Sequence, residues 1–538
     1  MKRYLVAAFS LFPFLASAQP GVKRPRLVIG IVVDQMRWDY LYRFQDRYGS
    51  GGFNRLLQEG FNCQQTFLNY IPSYTAPGHT SIYTGTYPAL HGVTGNDWPD
   101  RKEGTSVYCC EDASVSPVGG SEAAGRMSPH RMKATTIGDE LRLATNFRSR
   151  VFGISLKDRG AILPAGHSAN AAYWFDDSTG NFITSSFYRK ALPEWVVRFN
   201  GMRYADSMLA YPWNTLYPVA SYRNSISDNN AYEYTLKGES EPVFPHRFGP
   251  GDYKAIRRSP RGNELSFLFA KELIAQEHLG ERSCDMLALS LSATDYVGHA
   301  YAPNSVEAED MYLRLDRQLA SFLRFLDSYL GEGNYLLFLS ADHGAAHNAL
   351  WLQDQRVPAG TLSETVLAAA LNKYLKVQFG ADSLVSGVFN YQVFLNEPLL
   401  LSRHIDRIAL KTAVKQYCLS QEGIAYAADM ENLASETMPA ALKELLLNGY
   451  YPGRSGSVAV VYEPGWYSDG KKGTTHGTWN PYDRHIPLLW YGWHIPQGET
   501  FDAVAVTDIA VTLAALLHIQ QPDAATGKVI GKITDQER

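Results

Sequence analysis

Leu27-Val-Ile-Gly-Ile-Val-Val33, closed by Asp34, is the stretch whose reading decides the fold. An apolar run of strand length with no polar alternation reads as a strand covered on both faces, as in a parallel sheet between helices. Val151–Leu156, Met286–Leu291, Tyr335–Leu339, Val458–Tyr462 and Ile486–Tyr491 repeat the pattern. Helical periodicity lies between them. The clearest example runs from about Val306 to Leu330, where Met311, Leu315, Leu319, Phe322, Leu326 and Tyr329 recur at spacings of three and four. A last helix is predicted from Thr507, read as its N-cap, through Ile509, Leu513, Leu516 and Leu517. Strands alternating with helices predict an α/β fold, a doubly wound, mostly parallel sheet flanked by helices.

Two stretches break that rhythm. Residues from about 166 to 265 are aromatic-rich and punctuated by Asp, Asn, Ser, Gly and Pro, and residues from about 350 to 455 mix short helical patterns with loops. Both read as cap-like insertions in a single α/β domain spanning 19–538. Residues 1–18 read as a signal peptide. Lys2 and Arg3 precede an apolar run from Tyr4 to Leu15, and Ala16-Ser17-Ala18 forms a small-residue cleavage site before Gln19. That run is too short for a membrane span, and no later stretch reaches 18 uninterrupted apolar residues. The expectation is a soluble, exported, periplasmic protein.

Of 538 residues, 45% are hydrophobic and 19% charged, enough for a large packed core. Fifty Lys and Arg against 54 Asp and Glu leave a net charge of −4, without the basic excess that a nucleic-acid partner requires. Five cysteines (Cys63, Cys109, Cys110, Cys284, Cys418) are too few for a disulfide framework, and no CxxC pair offers thiolate zinc ligands.

Ligands of an open α/β sheet sit beyond the carboxyl ends of its strands. That rule selects Asp34 after the first run, Lys157 and Arg159 after Leu156, and Asp295 with His299 after Leu291. It also selects Asp342-His343-Gly344 after Leu339; His476 lies in the small-residue loop Gly473-Thr-Thr-His-Gly477. Singly, an Asp after a strand is usually a cap and a His a satisfied polar residue. Three of each at one edge instead read as nitrogen and oxygen ligands of the kind zinc takes. Asp295 and His299, four apart, share a face of a helical turn. In Tyr74-Thr75-Ala-Pro-Gly-His79, Thr75 precedes a short predicted helix. A hydroxyl there reads as a metal-activated nucleophile or as a simple cap, and position alone leaves both open.

Six stretches stand in order from about residue 27 to 518. They are Val32-Val-Asp34-Gln-Met36, the Thr75 segment ending in His91-Gly-Val-Thr-Gly-Asn96, and Ser155-Leu-Lys157-Asp-Arg159-Gly160. Thr294-Asp295-Tyr-Val-Gly-His299, Ser340-Ala-Asp342-His343-Gly344 and Gly473-Thr-Thr-His476-Gly477 follow. On these the chain resembles the alkaline phosphatase superfamily, in particular the PafA-type (phosphate-irrepressible) periplasmic alkaline phosphatases. The resemblance implies two Zn2+ per chain, one held by Asp295, His299 and His476. Asp34, Asp342 and His343 would hold the second, with Thr75 also a ligand to it and the nucleophile. Asn96, Lys157 and Arg159 would contact the phosphoryl oxygens. The implied activity is hydrolysis of small-molecule phosphate monoesters through a phosphothreonine intermediate, by a monomer.

The rival within the superfamily is a phosphodiesterase or nucleotide pyrophosphatase with the same metals and Thr. Lys157 and Arg159 favour a dianionic monoester over a singly charged diester. A sulfatase would need Cys or Ser in a C/S-x-P-x-R pattern, from which Thr75-Ala-Pro-Gly-His79 departs at both ends. A non-catalytic relative would lack ligands or nucleophile, and none is missing. His79, His91, His347 and His485 are expected in supporting positions, Tyr173-Trp174-Phe175 in the core, and Asp158 pointing away.

Overall fold

The computed structural model describes residues 22–101, 104–468 and 470–535, so the expected signal peptide lies outside the described residues. The principal sheet is built from β1 (Leu27–Val33), β2 (Phe61–Phe67), β3 (Pro117–Val118), β4 (Val151–Ser155) and β5 (Ala171–Asp176). It continues with β6 (Asn181–Ser185), β7 (Asp285–Leu291), β8 (Tyr335–Ser340), β9 (Leu488–Gly492) and β10 (Gly498–Ala505). Their spatial order is β10-β2-β9-β8-β1-β7-β4-β5-β6-β3. The central block β8-β1-β7-β4-β5 is parallel throughout. Every residue of β1, β4, β7 and β8 is buried, which is why these segments read as unbroken apolar runs.

Register places the functional ends level. Val33 pairs with Leu291, Val32 with Ser340 and Leu289 with Ile154, so β1, β7, β8 and β4 terminate side by side. Five helices matter to the site: α1 (Thr75–Thr84), α2 (Asp158–Ala165), α3 (Ala293–Tyr301), α4 (Val306–Leu330) and α5 (Asp508–Leu517). Helix α4 has the predicted bounds, with Ser305 Oγ accepting from the Ala308 amide as its cap.

Helix α1 lies directly on the centre of the sheet. A Cβ at Gly30 would stand 2.3 Å from the Tyr83 hydroxyl oxygen and 2.5 Å from the Phe338 ring, and that hydroxyl donates to the Gly30 carbonyl at 3.2 Å. Only glycine leaves room for the helix there.

The structure differs from the sequence reading in four places. Val458–Tyr462 belongs to a separate antiparallel sheet with Val385–Phe389, Gln392–Leu395 and Ile424–Asp429. That sheet buries its strands against helices Glu364–Phe379 and Arg407–Leu419 through Leu371, Val393, Val414 and Val460, so its apolar run looks like a parallel one. Strand β9 runs antiparallel to β8, again with both faces covered. Strands β5 and β6, inside the aromatic-rich 166–265 stretch, extend the principal sheet. Thr507 precedes α5 but makes no side-chain cap; its Oγ1 instead accepts from Asn69 Nδ2 at 3.2 Å. All five cysteines are free and buried. No described helix is long and apolar enough to cross a membrane.

Gly30→Val is expected to destabilise the fold by about 3 kcal/mol, because the new side chain must displace Tyr83 or Phe338. Denaturant unfolding measures this, and a change within about 0.5 kcal/mol, as at ordinary surface positions, would contradict the packing argument.

Candidate active site

Asp34 follows β1 directly, Lys157 follows β4 as the N-cap of α2, Asp295 lies in the first turn of α3 after β7, and Asp342 and His343 follow β8. His476 arrives from the Gly473–Gly477 loop. That loop approaches α3 closely: a Cβ on Gly473, whose φ is +65°, would lie 1.9 Å from the His299 carbonyl oxygen. The small residues read from the sequence therefore serve a real backbone contact.

These side chains converge. His299 Nε2 lies 3.2 Å and His476 Nε2 3.9 Å from Asp295 Oδ1. His343 Nε2 lies 3.5 Å from both Asp34 Oδ1 and Asp342 Oδ2. The i, i+4 pairing of Asp295 and His299 is thus realised on α3. Two groups have ligand atoms all within 4.8 Å of one another: Asp295, His299 and His476, and Asp34, Asp295 and His343. Asp342 borders the second group, with Oδ1 accepting from the Gln35 and His343 amides at 3.1 and 3.0 Å.

The donor set fits a metal ion. Each imidazole donates its Nδ1–H to a backbone carbonyl: His299 to Thr474 (2.7 Å), His343 to Gly344 (3.0 Å) and His476 to Ser73 (2.6 Å). This fixes the tautomer and turns the Nε2 lone pairs inward. Asp34 Oδ1, Asp342 Oδ2 and His343 Nε2 are buried without a hydrogen-bond partner, an expensive arrangement for polar atoms unless they bind an ion. Burial pushes the His343 and His476 pKa values down, and the crowding of His476 by the His343 and His299 imidazoles pushes it further, which favours the neutral form a metal ligand needs. Burial works against the charge of Asp295 and Asp342. For Asp295, Lys157 and His299 outweigh it; for Asp342, His343 and His79 do, and both carboxyl pKa values fall. Asp34 goes the other way, raised by burial and by repulsion from Asp295 and Asp342.

The Lys157 ammonium sits between Asp34 Oδ2 (2.7 Å) and Asp295 Oδ2 (2.6 Å) and lies 3.4 Å from Thr75 Oγ1. Burial opposes its charge, but Asp295 and Asp34 hold it protonated. Thr75 is the first residue of α1; the cap position is Tyr74 and no side chain caps the helix. The capping reading of Thr75 is therefore wrong, and its hydroxyl is left facing the cluster. Asn96 is tied to the same helix start through its Oδ1, which accepts from the Ala76 amide at 2.9 Å. Arg159 is the second residue of α2; Tyr108 accepts from its Nη1 at 3.2 Å, and its buried Nε has no partner.

Several supporting residues escaped sequence reasoning. Gln35, strained at φ 64°, donates from Nε2 to Asp295 Oδ1 at 2.8 Å. The Tyr296 ring lies 5.0 Å from the Lys157 ammonium, and the Tyr108 hydroxyl bridges Arg159 and Asp158. Gln35 and Tyr296 had a local signal, their places directly after Asp34 and Asp295. His79 supports the centre as expected: it donates to the Thr75 carbonyl (3.0 Å), accepts from Ser290 Oγ (2.9 Å) and stands 3.2 Å from Asp342 Oδ2. Asp158 accepts from the Tyr108 hydroxyl and the Arg159 amide.

The principal sheet thus carries a hydroxyl, three Asp and three His at its carboxyl edge, with two groups of possible metal ligands. The sequence matches the family described as type I phosphodiesterase / nucleotide pyrophosphatase over residues 28–485. A Myroides odoratus protein named calcium-transporting ATPase is 45% identical, over 99% of this chain and 99% of that one. Alkaline phosphatase PhoV of Synechococcus elongatus is 46% identical over 96% and 95%. Alkaline phosphatase PafA of Elizabethkingia meningoseptica is 44% identical over 99% of both. A crystal structure of PafA superposes with a TM-score of 0.94, covering 96% of this chain and all of that one. The chain belongs to the type I phosphodiesterase / nucleotide pyrophosphatase family and, within it, to the PafA-type alkaline phosphatases, which makes it a phosphate monoester hydrolase.

His476→Ala is expected to weaken divalent-metal binding at least about ten-fold while the fold persists. Competition against a chromogenic chelator reads the affinity, and an unchanged value would remove His476 from the ligand set.

Proposed function

We propose that this phosphatase is zinc-dependent, binds two ions, and works through a phosphothreonine at Thr75. The observation that carries the reading is the Thr75 hydroxyl. It is buried at the start of α1, unused as a cap, and 3.4 Å from an ammonium wedged between the two ligand groups. Asp295, His299 and His476 would hold one ion, and Asp34, Asp342 and His343 the other beside Thr75. When bound, the ions would supply Lewis-acid stabilisation of the attacking and leaving oxygens.

The chain's own residues supply the rest. Lys157 stabilises the Thr75 alkoxide by charge, and the positive end of α1 favours an anionic substrate. Thr75 Oγ1 attacks phosphorus, the bond to the leaving oxygen breaks, and the phosphoryl group rests on Thr75. Water then adds to phosphorus, Thr75 Oγ1 departs, and orthophosphate leaves. Arg159, braced by Tyr108, offers its fork to two phosphoryl oxygens, and the Asn96 side-chain amide donates to one. Fixed charges aimed at an already dianionic group favour monoesters over diesters. The Lys2-Arg3 start, apolar run and Ala16-Ser17-Ala18 support export to the periplasm.

Thr75→Ala should lower turnover of an aryl phosphate by at least about three orders of magnitude with metal content intact, whereas Thr75→Ser keeps appreciable activity. Substantial turnover by Thr75→Ala would remove it as nucleophile. Arg159→Ala should cost about 100-fold or more in kcat/KM for the monoester and clearly less for a methyl diester. Equal losses would remove Arg159 as the source of selectivity.

A further inference from the structure

The antiparallel sheet of the 350–455 stretch reaches the site through one tight turn. Val385–Phe389 and Gln392–Leu395 form a hairpin in which Phe389 pairs with Gln392, so Asn390 and Tyr391 are its whole loop. A two-residue loop that matches the twist of its strands takes positive φ at both positions, which is why Asn-Gly is preferred there. Here φ is 54° at Asn390 and 59° at Tyr391. Asn adopts that conformation readily. A bulky aromatic residue rarely does, and keeps it only where its surroundings over-determine it. They do so at Tyr391: its amide donates to Glu364 Oε1 at 2.6 Å, its carbonyl accepts from the Val460 amide at 2.8 Å, and its side chain is buried.

Both side chains of the turn reach out of their own sheet. The Tyr391 hydroxyl donates to the His476 carbonyl at 3.0 Å and accepts from the Ser468 amide at 3.3 Å. Its ring lies on the backbone of the same loop, since a Cβ on Gly477, whose φ is +112°, would stand 2.5 Å from it. His476 is also tied through Nδ1 to the Ser73 carbonyl, so it is held at both its ring and its main chain. Asn390 Nδ2 donates to the Asp97 carbonyl at 2.7 Å, and a Cβ on Gly95 would stand 2.5 Å from that nitrogen. Asn390 therefore grips the residues on either side of Asn96. Closing the hairpin needs none of this, because Asn-Gly would do so without an aromatic residue at positive φ. The costly residue adds a hydrogen bond to the loop carrying His476, and its neighbour adds one beside Asn96.

We propose that the Asn390-Tyr391 turn is a positioning device for the reaction: Asn390 sets the Asn96 side-chain amide against the phosphoryl group, and Tyr391 sets His476 toward its ion. The proposal rests on the roles given above to Asn96 and His476. Neither turn residue touches the reacting atoms. Each acts by fixing the backbone of a loop that carries one functional side chain, so one hairpin serves the phosphoryl side and the metal side of the centre together.

The test uses N390G, Y391F, N96A, N390G/N96A and H476A. Asn390→Gly removes the side chain and suits positive φ, so its stability to denaturant should equal or exceed that of the wild type. Its kcat/KM for an aryl phosphate, measured on zinc-loaded protein, should fall about five-fold, the size of one hydrogen bond, with metal affinity unchanged. In the N96A background the same substitution should cost nothing further, because it acts through Asn96. Tyr391→Phe keeps the ring and loses the hydroxyl. It should weaken divalent-metal binding about ten-fold in competition with a chromogenic chelator. Full kcat/KM in N390G while N96A is impaired, or an equal loss on adding N390G to N96A, would overturn the role of Asn390. Unchanged metal affinity in Y391F while H476A is impaired would overturn that of Tyr391. Wild-type kcat/KM in N96A would show that the reading of Asn96 has failed and takes the Asn390 role with it. Wild-type metal affinity in H476A would do the same for His476 and Tyr391.

Discussion

One buried ammonium between two buried carboxylates organises the catalytic edge. Lys157 stands 2.7 Å from Asp34 and 2.6 Å from Asp295, all three nearly free of solvent. Carboxylates this close repel and lose hydration, so the pair is tolerable only with compensating positive charge. Each presents one oxygen to Lys157 and turns the other toward imidazole nitrogens. The same contact therefore keeps the ligand groups together and places a cation beside Thr75. Removing one partner of such a buried set costs about 3–5 kcal/mol, because the others are left uncompensated.

The sheet makes this contact possible by register. Strands β1, β7, β8 and β4 are parallel and end level, so the residues just beyond them meet without long excursions. Helix α1 is pressed onto β1 at Gly30, which brings the Thr75 hydroxyl to the same edge. The backbone carbonyls of Ser73, Gly344 and Thr474 then orient the three imidazoles. Rigid elements hold the reacting groups, and loops aim their ligands.

Much of this was legible in the residues. Two-sided burial reveals β1, β4, β7 and β8 as apolar runs, and the periodicity from Val306 to Leu330 gives α4 its bounds. Asp295 and His299 are readable because a helix turns their spacing into proximity. What escaped depends on contacts remote in sequence. Val458–Tyr462 is as apolar as β1 yet pairs with an insertion sheet, since burial says nothing about which partner covers a strand. Gln35 reaches Asp295, and Tyr296 approaches Lys157, only after β1, β4 and β7 are set side by side. The separation of Lys157 from its carboxylates, 123 and 138 residues, carries no local pattern at all.

The matched family is named for diester and pyrophosphate cleavage while full-length relatives are named alkaline phosphatases, so in the proposed mechanism the cations around Thr75 carry the distinction. Lys157 is fixed by burial and by hydrogen bonds to Asp34 and Asp295, and the half-buried Arg159 by its hydrogen bond to Tyr108. The most direct test is kcat/KM of the zinc-loaded protein for an aryl phosphate monoester against its methyl diester. The account predicts a strong monoester preference that disappears on chelation, and a diester preference would contradict it.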